Sequence, residues 1–400
     1  MTDFAVLRAP SQVLFGAGMA AAAGPLAAGY GRRVMVVTDP TIAGTEGFAT
    51  VQQALGEAGL EVILFAEAAV DVPMTTIDAA VALGREREPD VIVAVGGGSV
   101  IDLAKVTALL LSHPGPLSAY YPVQSVPGPV LPLIALPTTA GTGSEATPVS
   151  VITDAATSMK VGVASPHLIP RHAVCDPLLT VGAPPTVTAH AGIDALSHAV
   201  EAFMSARETP SPALVLGRPQ VGKNLLSDLL ALTAAREIAA NLVRAVEDGS
   251  DLEARSGMLY GSLLAGMAFG NSGVSAAHAL QFAVGAATHT SHGLGTGLLL
   301  PYVMEYNRPA RPTELAALGD AMGGGDAVET VHALGRRIGL PASLAEIGIE
   351  RTDVRGLAEQ SVGIRRLIDN NPRPLDADAL EAILTAAWHG DPALLSPAPA

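Results

Sequence analysis

Asp194 and His198 stand four residues apart in the run His190-Ala-Gly-Ile-Asp-Ala-Leu-Ser-His-Ala-Val-Glu201, whose apolar spacing predicts a helix. Residues i and i+4 share a helix face, so the carboxylate and the imidazole point the same way. That is half of a divalent-metal site, although an ordinary ion pair has the same spacing. Two more imidazoles offer the other half. His278 lies in the apolar run 274–282, and His292 follows in a turn before another apolar helix. A helix and a tight loop can return His292 to the start of the His278 helix. Together Asp194, His198, His278 and His292 supply three nitrogens and one carboxylate oxygen. Such a set suits a divalent transition metal with one position left open for catalysis, and the donor types alone do not choose between iron and zinc. A single His on an apolar helix is more often a hydrogen-bonded core residue, so His278 gains weight only beside the others. His190, on the same predicted face as Asp194, and His289, close to His292, are rival candidates.

A second chemistry sits in two glycine-rich loops. The apolar run 91–95 leads into Gly96-Gly97-Gly98-Ser99-Val100-Ile101-Asp102-Leu103-Ala104-Lys105. Glycines let a ligand approach the backbone closely, and free N–H groups at a helix start favour a phosphate. The order strand, glycines, helix predicts a pyrophosphate cradle; a glycine turn without a ligand has the same letters. The run 133–137 ends in Thr138-Thr139-Ala140-Gly141-Thr142-Gly143-Ser144-Glu145. Ligands of open α/β sheets bind beyond the carboxyl ends of the strands, and two small-residue loops there favour a dinucleotide. Asp39 closes the run 34–38. An acid at such a strand end can accept from a ribose hydroxyl and repel a 2′-phosphate; before Pro40 it also suits a plain turn.

These loops need an α/β layer to carry them. Strands are predicted at 34–38, 61–65, 91–95, 133–137, 149–153, 160–164 and 173–175, and helices at 20–30, 48–58 and 75–87. Continuous apolar strands alternating with helices give a parallel sheet. Residues 4–14 form extended chain. Beyond Pro184-Pro185 the apolar spacing turns helical almost to the end. The expected division is therefore an α/β dinucleotide-binding domain over residues 1–183 and an all-helical metal-binding and substrate domain over 184–400. Residues 207–223, rich in Pro and Gly, interrupt the helices as a long loop, and Lys223 and Asn224 at its end are candidates to face a substrate.

Composition narrows the partners. Four hundred residues favour two domains, and the net charge of −15 argues against nucleic acid and anionic membrane surfaces. A single cysteine, Cys175, precludes an internal disulfide and suits a reducing compartment. The first ten residues lack the pattern of a secretion signal, so a cytoplasmic location is expected. The stretch between Arg255 and Glu305 has no charged residue but is broken by polar ones, and it predicts buried helices, not a membrane span.

The segments Gly96-Gly97-Gly98-Ser99 with Asp102 and Lys105, Pro137 to Glu145, Gly192 to Glu201, and His278 with His292-Gly293 resemble the iron-containing (group III) alcohol dehydrogenases, in order and spacing, over nearly the whole chain. The resemblance implies the dehydroquinate synthase-like fold of that family, with catalysis in a cleft between the two domains. It implies Fe²⁺, or Zn²⁺, on Asp194, His198, His278 and His292. It also implies NAD, more than NADP, against Asp39, Gly97, Gly98, Ser99, Asp102, Thr138, Thr139, Thr142 and Lys160. Phe269 matches a substrate-cleft aromatic. Homodimers are implied too, with the first strand, here within residues 4–14, crossing to the partner. One departure stands out: many members carry a His one turn after the first cleft His, and here that position is Phe282. The expected reaction is interconversion of a small or medium, mostly uncharged alcohol and its aldehyde or ketone. Relatives acting on hydroxy acids or maleylacetate, and a dehydroquinate synthase-like lyase, are the alternatives.

Overall fold

Most β-branched and aliphatic runs of the first half become the strands of one parallel sheet, but 149–153 and 160–164 pair apart from it. A computed structural model describes residues 4–154 and 160–396. Its strands are β1 (Gln12–Phe15), β2 (Arg33–Val37), β3 (Glu61–Phe65), β4 (Val91–Gly96), β5 (Leu133–Pro137), β6 (Val149–Thr153), β7 (Lys160–Ala164) and β8 (His172–Cys175). Six of them form a sheet in the order β1-β8-β5-β4-β2-β3, with every pair parallel. β6 and β7 make a separate antiparallel pair. β4 is buried along its whole length. Its alternate side chains feed two cores: Ile92 and Ala94 pack on one face, and Val91, Val93 and Val95 on the other. This is the period-2 alternation of a strand covered on both sides.

The register matters for function. Val95 lies opposite Leu136 and Gly96 opposite Pro137, so the two glycine-rich loops leave the sheet side by side. The N–H of Thr138 donates to the carbonyl of Gly96 at 3.1 Å and ties them together.

From Pro185 onward the chain is helical. The principal helices are Pro185–Met204, Leu225–Glu247, Leu252–Ser272, Ala276–Thr288, His292–Asn307 and Ala377–His389. The fold is thus an α/β unit with a six-stranded parallel sheet and an all-helical unit. Among the described residues no helix is long and apolar enough to cross a membrane.

The chain separates into two compact units. One comprises Arg8–Ala183 and Pro212–Pro219; the other comprises Met1–Leu7, Pro184–Ser211 and Gln220–Ala400. Within the expected extended stretch 4–14, strand pairing begins at Gln12, and the carbonyl of Phe4 accepts from the N–H of Leu225 at 3.0 Å. Two expectations about residues 207–224 need correction. The stretch 207–223 is not all loop, because Pro212–Gly217 is helical and Arg8 donates to the carbonyls of Val215 and Pro219. Lys223 and Asn224 are buried, structural residues. The Lys223 ammonium donates to the carbonyl of Phe203 and pairs with Asp228 at 2.8 Å, and Asn224 caps the helix Leu225–Glu247 by accepting from the N–H of Ser227.

Candidate metal centre and cofactor loops

The helix Pro185–Met204 begins with a proline in its first turn, where the missing N–H costs nothing. From Gly192 to Met204 every residue is buried. Asp194, His198 and Glu201 follow the i, i+4, i+7 spacing, so one stripe of this helix carries all three.

Asp194 gathers three imidazoles. His278 Nε2 and His292 Nε2 each lie 3.8 Å from Asp194 Oδ1, and His198 Nε2 lies 4.0 Å from Oδ2. Donor atoms of Asp194, His278 and His292 fall within 4.8 Å of one another, and His198 joins from the other carboxylate oxygen. The rings of His198 and His278 stack with centroids 4.8 Å apart, and those of His278 and His292 are 5.3 Å apart. Asp194, His278 and His292 therefore form the close set, and His198 stands beside it on the other oxygen of Asp194.

Their surroundings set the protonation states. His278 sits in the first turn of Ala276–Thr288, and Glu201 caps that turn. The Glu201 carboxylate accepts from Ser275 N (3.0 Å), Ser275 Oγ (3.1 Å), Ala277 N (2.7 Å) and His278 Nδ1 (2.5 Å). A carboxylate at a helix N-terminus is stabilised by the free N–H groups there. Burial raises the Glu201 pKa, but His278 and these donors outweigh it and hold the group below its usual range. A carboxylate beside Nδ1 keeps the proton there and leaves Nε2 as a lone-pair donor. That Nε2 is buried with no hydrogen-bond partner, as is Nδ1 of His198. Burial pushes His198 down to about 4, so it is neutral at pH 7. Burial also opposes ionisation of Asp194, yet His198, His292, His278 and the Thr296 hydroxyl hold it below the ordinary range. Thr296 Oγ1 donates to Asp194 Oδ1 at 2.8 Å.

His292 opens the helix His292–Asn307, and Ser291 before it bonds His190 Nδ1 at 2.8 Å. His190 thus braces the turn that presents His292. His289 lies in the left-handed region at the end of the preceding helix and is outside the set. Gly293 lets the two helices touch: a Cβ there would lie 2.1 Å from the carbonyl oxygen of His190. Phe269 stacks on His198 at 4.1 Å, and Phe282 lies 6.2 Å from the His292 ring. Buried, unpartnered imidazole nitrogens are rare unless something takes their lone pairs. A nitrogen-rich set with one ionised carboxylate, and a second carboxylate behind one ligand, fits a divalent ion of the iron or zinc type.

The cofactor candidates divide into two groups. Gly97 is the N-cap of the helix Gly98–Ser112, and no side chain caps it. A Cβ on Gly98 would lie 2.5 Å from Thr142 Cγ2, and one on Gly97 would lie 3.4 Å from Thr139 Oγ1. Gly97, Gly98, Ser99, Thr139 and Thr142 therefore form one small-residue surface with open N–H groups at a helix start, while Thr138 beside them is buried and gives its N–H to Gly96. The others have commitments inside the protein. Asp102 accepts from Ser144 Oγ (2.5 Å) and from Val151 N (2.8 Å), so both its oxygens brace the loops. Lys160 pairs with Asp71 at 2.6 Å. Asp39 Oδ1 accepts from the N–H groups of Thr41 and Ile42, the turn role weighed above. Beneath the loops, buried Lys105 donates to Thr147 O, Thr147 Oγ1 and Val149 O.

Reasoning from the residues alone did not single out Glu201 or Thr296. Glu201 had a signal, the i+7 spacing from Asp194. Thr296 is one turn beyond His292 and had only that.

The chain thus combines a parallel α/β sheet carrying glycine-rich loops with a helical unit that gathers Asp194, His278 and His292 as a candidate metal set. Comparison with known families is in accord. Residues 10–177 match the model for iron-containing alcohol dehydrogenase, and residues 188–388 match that for the C-terminal part of the Fe-containing alcohol dehydrogenase family. The chain is 36% identical over 373 residues to long-chain-alcohol dehydrogenase 1 of Geobacillus thermodenitrificans, with 90% of each covered. It is 33% identical to sulfoacetaldehyde reductase of Bilophila wadsworthia, covering 89% of this chain and 92% of that one. The crystal structure of a 1,3-propanediol oxidoreductase superposes with a TM-score of 0.90 at 32% identity, covering 96% of this chain and all of the other. The chain belongs to the iron-containing alcohol dehydrogenase family and is an oxidoreductase of that family.

Proposed function

We propose that this protein is a metal- and NAD(H)-dependent dehydrogenase that interconverts a small or medium alcohol and its aldehyde or ketone. The observation that carries the reading is His278. Its Nδ1 is held by Glu201, and its buried Nε2 has no partner but faces Asp194. We infer that Asp194, His198, His278 and His292 hold Fe²⁺ or Zn²⁺. A bound ion of this kind supplies Lewis acidity to a substrate oxygen. The nicotinamide supplies the hydride chemistry.

The chain's residues do the rest. Glu201 fixes the tautomer and direction of His278. Asp194 contributes the negative charge, and Thr296 orients it. Phe269 and Phe282 border the imidazoles with apolar surface and limit water there. Phe282 carries no proton, so a proton reaches or leaves the substrate oxygen through water or a cofactor hydroxyl. Gly97, Gly98, Ser99, Thr139 and Thr142 receive the pyrophosphate beside Thr138, where open N–H groups favour its charge. Asp39 keeps one oxygen for a ribose hydroxyl, and Lys160 lies at the edge of the same unit. The reading retains residues 1–183 as the dinucleotide domain and 184–400 as the metal and substrate domain, in a cytoplasmic homodimer. The names of the relatives, which cover long-chain alcohols, a diol and a sulfonated aldehyde, support an alcohol or aldehyde substrate.

The test is metal analysis of anaerobically purified protein together with NAD- and NADP-linked assays over an alcohol and aldehyde panel. Asp194→Ala and His278→Ala should each lose the metal and the turnover. Retention of full activity in both variants would falsify the assignment.

A further inference from the structure

Arg366 is a cation without a counter-charge near the metal set. It lies on the short helix Arg365–Ile368, which packs against Ala276–Thr288, the helix that carries His278. Its neighbour Arg365 pairs with Asp369, but among the described residues no carboxylate pairs with Arg366. The side chain is accessible to solvent. It is also held in place. Nη1 donates to Gln220 Oε1 at 2.9 Å, Gln220 Nε2 donates to the carbonyl of Phe269 at 3.1 Å, and the Phe269 ring lies on His198. The guanidinium is thus fixed, through two hydrogen bonds, to the residue that borders the metal ligands. The neighbouring backbone is fixed as well, because Asn370 Nδ2 donates to the carbonyls of Ser272 and Val274.

Burial lowers the pKa of Arg366, yet guanidinium stays protonated in proteins. One hydrogen bond leaves most of its donors free. An immobilised guanidinium with no carboxylate beside it keeps its planar fork free for an oxyanion with two acceptors.

We propose that Arg366 receives a negatively charged group of the substrate, so that the substrate class is a short aldehyde, or its alcohol, bearing a carboxylate or sulfonate remote from the reacting carbon. The inference rests on the dehydrogenase reading above and narrows it, replacing the expectation of an uncharged alcohol. The reaction would balance as follows: a bound dihydronicotinamide would supply the hydride for the carbonyl carbon and be oxidised, and water would supply the proton that completes the hydroxyl.

The test compares butanal with 4-oxobutanoate and a sulfonate analogue of similar length, in wild type, Arg366→Gln, Arg366→Lys and Arg365→Gln. Wild type should favour the anionic aldehydes in kcat/KM by about tenfold or more at low salt, mostly through KM, and the preference should shrink as ionic strength rises. Arg366→Gln should collapse the ratio, Arg366→Lys should restore part of it, and Arg365→Gln should keep it. Calorimetric titration with 4-hydroxybutanoate gives a readout without turnover, with binding about tenfold weaker in Arg366→Gln. The carboxylate and sulfonate arms decide which oxyanion is preferred. A wild type that turns over butanal as well as 4-oxobutanoate, or an unchanged ratio in Arg366→Gln, overturns the inference and leaves the dehydrogenase reading standing. Turnover of no aldehyde with either dinucleotide overturns that reading and the inference with it.

Discussion

Glu201→Gln is the sharpest probe of the proposed metal centre, because it changes one atom and leaves the volume alone. Four donors converge on the Glu201 carboxylate, and Oε2 takes two of them, Ser275 N and His278 Nδ1. An amide has one acceptor oxygen. If that oxygen serves Ser275 Oγ and Ala277 N, the NH₂ group faces two donors. His278 can answer by moving its proton to Nε2, which places an N–H where the lone pair is needed. Loss of such a carboxylate behind a ligand imidazole weakens metal binding by about 10–100-fold, or roughly 1.4–2.7 kcal/mol. The metal-free fold should lose a further ~1–3 kcal/mol for the unsatisfied N–H of Ser275. Chelator competition with metal quantified by mass spectrometry gives the first number, and urea denaturation of metal-free protein gives the second. A Glu201→Gln protein with wild-type metal affinity would show that His278 does not use Nε2 as a ligand.

Three other expectations follow from single contacts. Gly98→Ala places a Cβ 2.5 Å from Thr142 Cγ2, so the loops must part; the dinucleotide KM should rise about tenfold or more, for an overpacking cost of ~1–3 kcal/mol, and an unchanged KM would put the cofactor elsewhere. Gly293→Ala meets the carbonyl oxygen of His190 at 2.1 Å and Asp194 Cβ at 3.1 Å; it should displace His292, lowering metal content and melting temperature together, and normal metal content would exclude His292 as a ligand. Glu145 is buried, which raises its pKa from 4.5 to about 7; the folded state keeps a proton that the unfolded chain loses, so this contribution is complete below pH 4.5 and is lost as pH rises through 7. Glu145→Gln should therefore flatten the decline in denaturation midpoint between pH 5 and pH 7, and an identical slope in wild type and variant would rule out that linkage.

What could be read without coordinates depended on the range of the contact. The central strands were legible because burial on both faces requires a continuous apolar run, as in Val91 to Val95. Asp194 and His198 were legible because helix geometry alone brings i and i+4 together. Glu201 was not singled out, since its partners Ser275, Ala277 and His278 lie 74 to 77 residues away. Arg366 is a harder case. Beside Arg365 it resembles any solvated pair of arginines, and its meaning comes from Gln220, 146 residues distant. Asp102, expected against the cofactor from the family resemblance, has both oxygens engaged by Ser144 and Val151, contacts 42 and 49 residues away that no local pattern announces. The helix Pro212–Gly217 hid among prolines that looked like loop, because proline in a first helical turn is indistinguishable in sequence from proline that prevents a helix.

The four ligand candidates are not equivalent, and the difference bears on how an ion and a substrate reach them. The side chains of Asp194, His198 and His278 are only 5–6% exposed, while that of His292 is 32% exposed. Three donors are thus fixed by the interior: Asp194 by Thr296, His278 by Glu201, and His198 by its stack on Phe269. The fourth stands on a turn at the start of a helix, held by the close approach at Gly293 and by the Ser291–His190 contact. Hydrogen bonds preset Asp194 and His278, and ring stacking presets His198, before any ion arrives, so their reorganisation on binding is small. Solvent access to the set is greatest beside His292, and Phe282 flanks the same imidazole. The most solvent-accessible side of the set is therefore the side that Phe282 flanks and that His190 braces through Ser291. In the proposed reaction, substrate entry and proton traffic would share that solvent-facing edge.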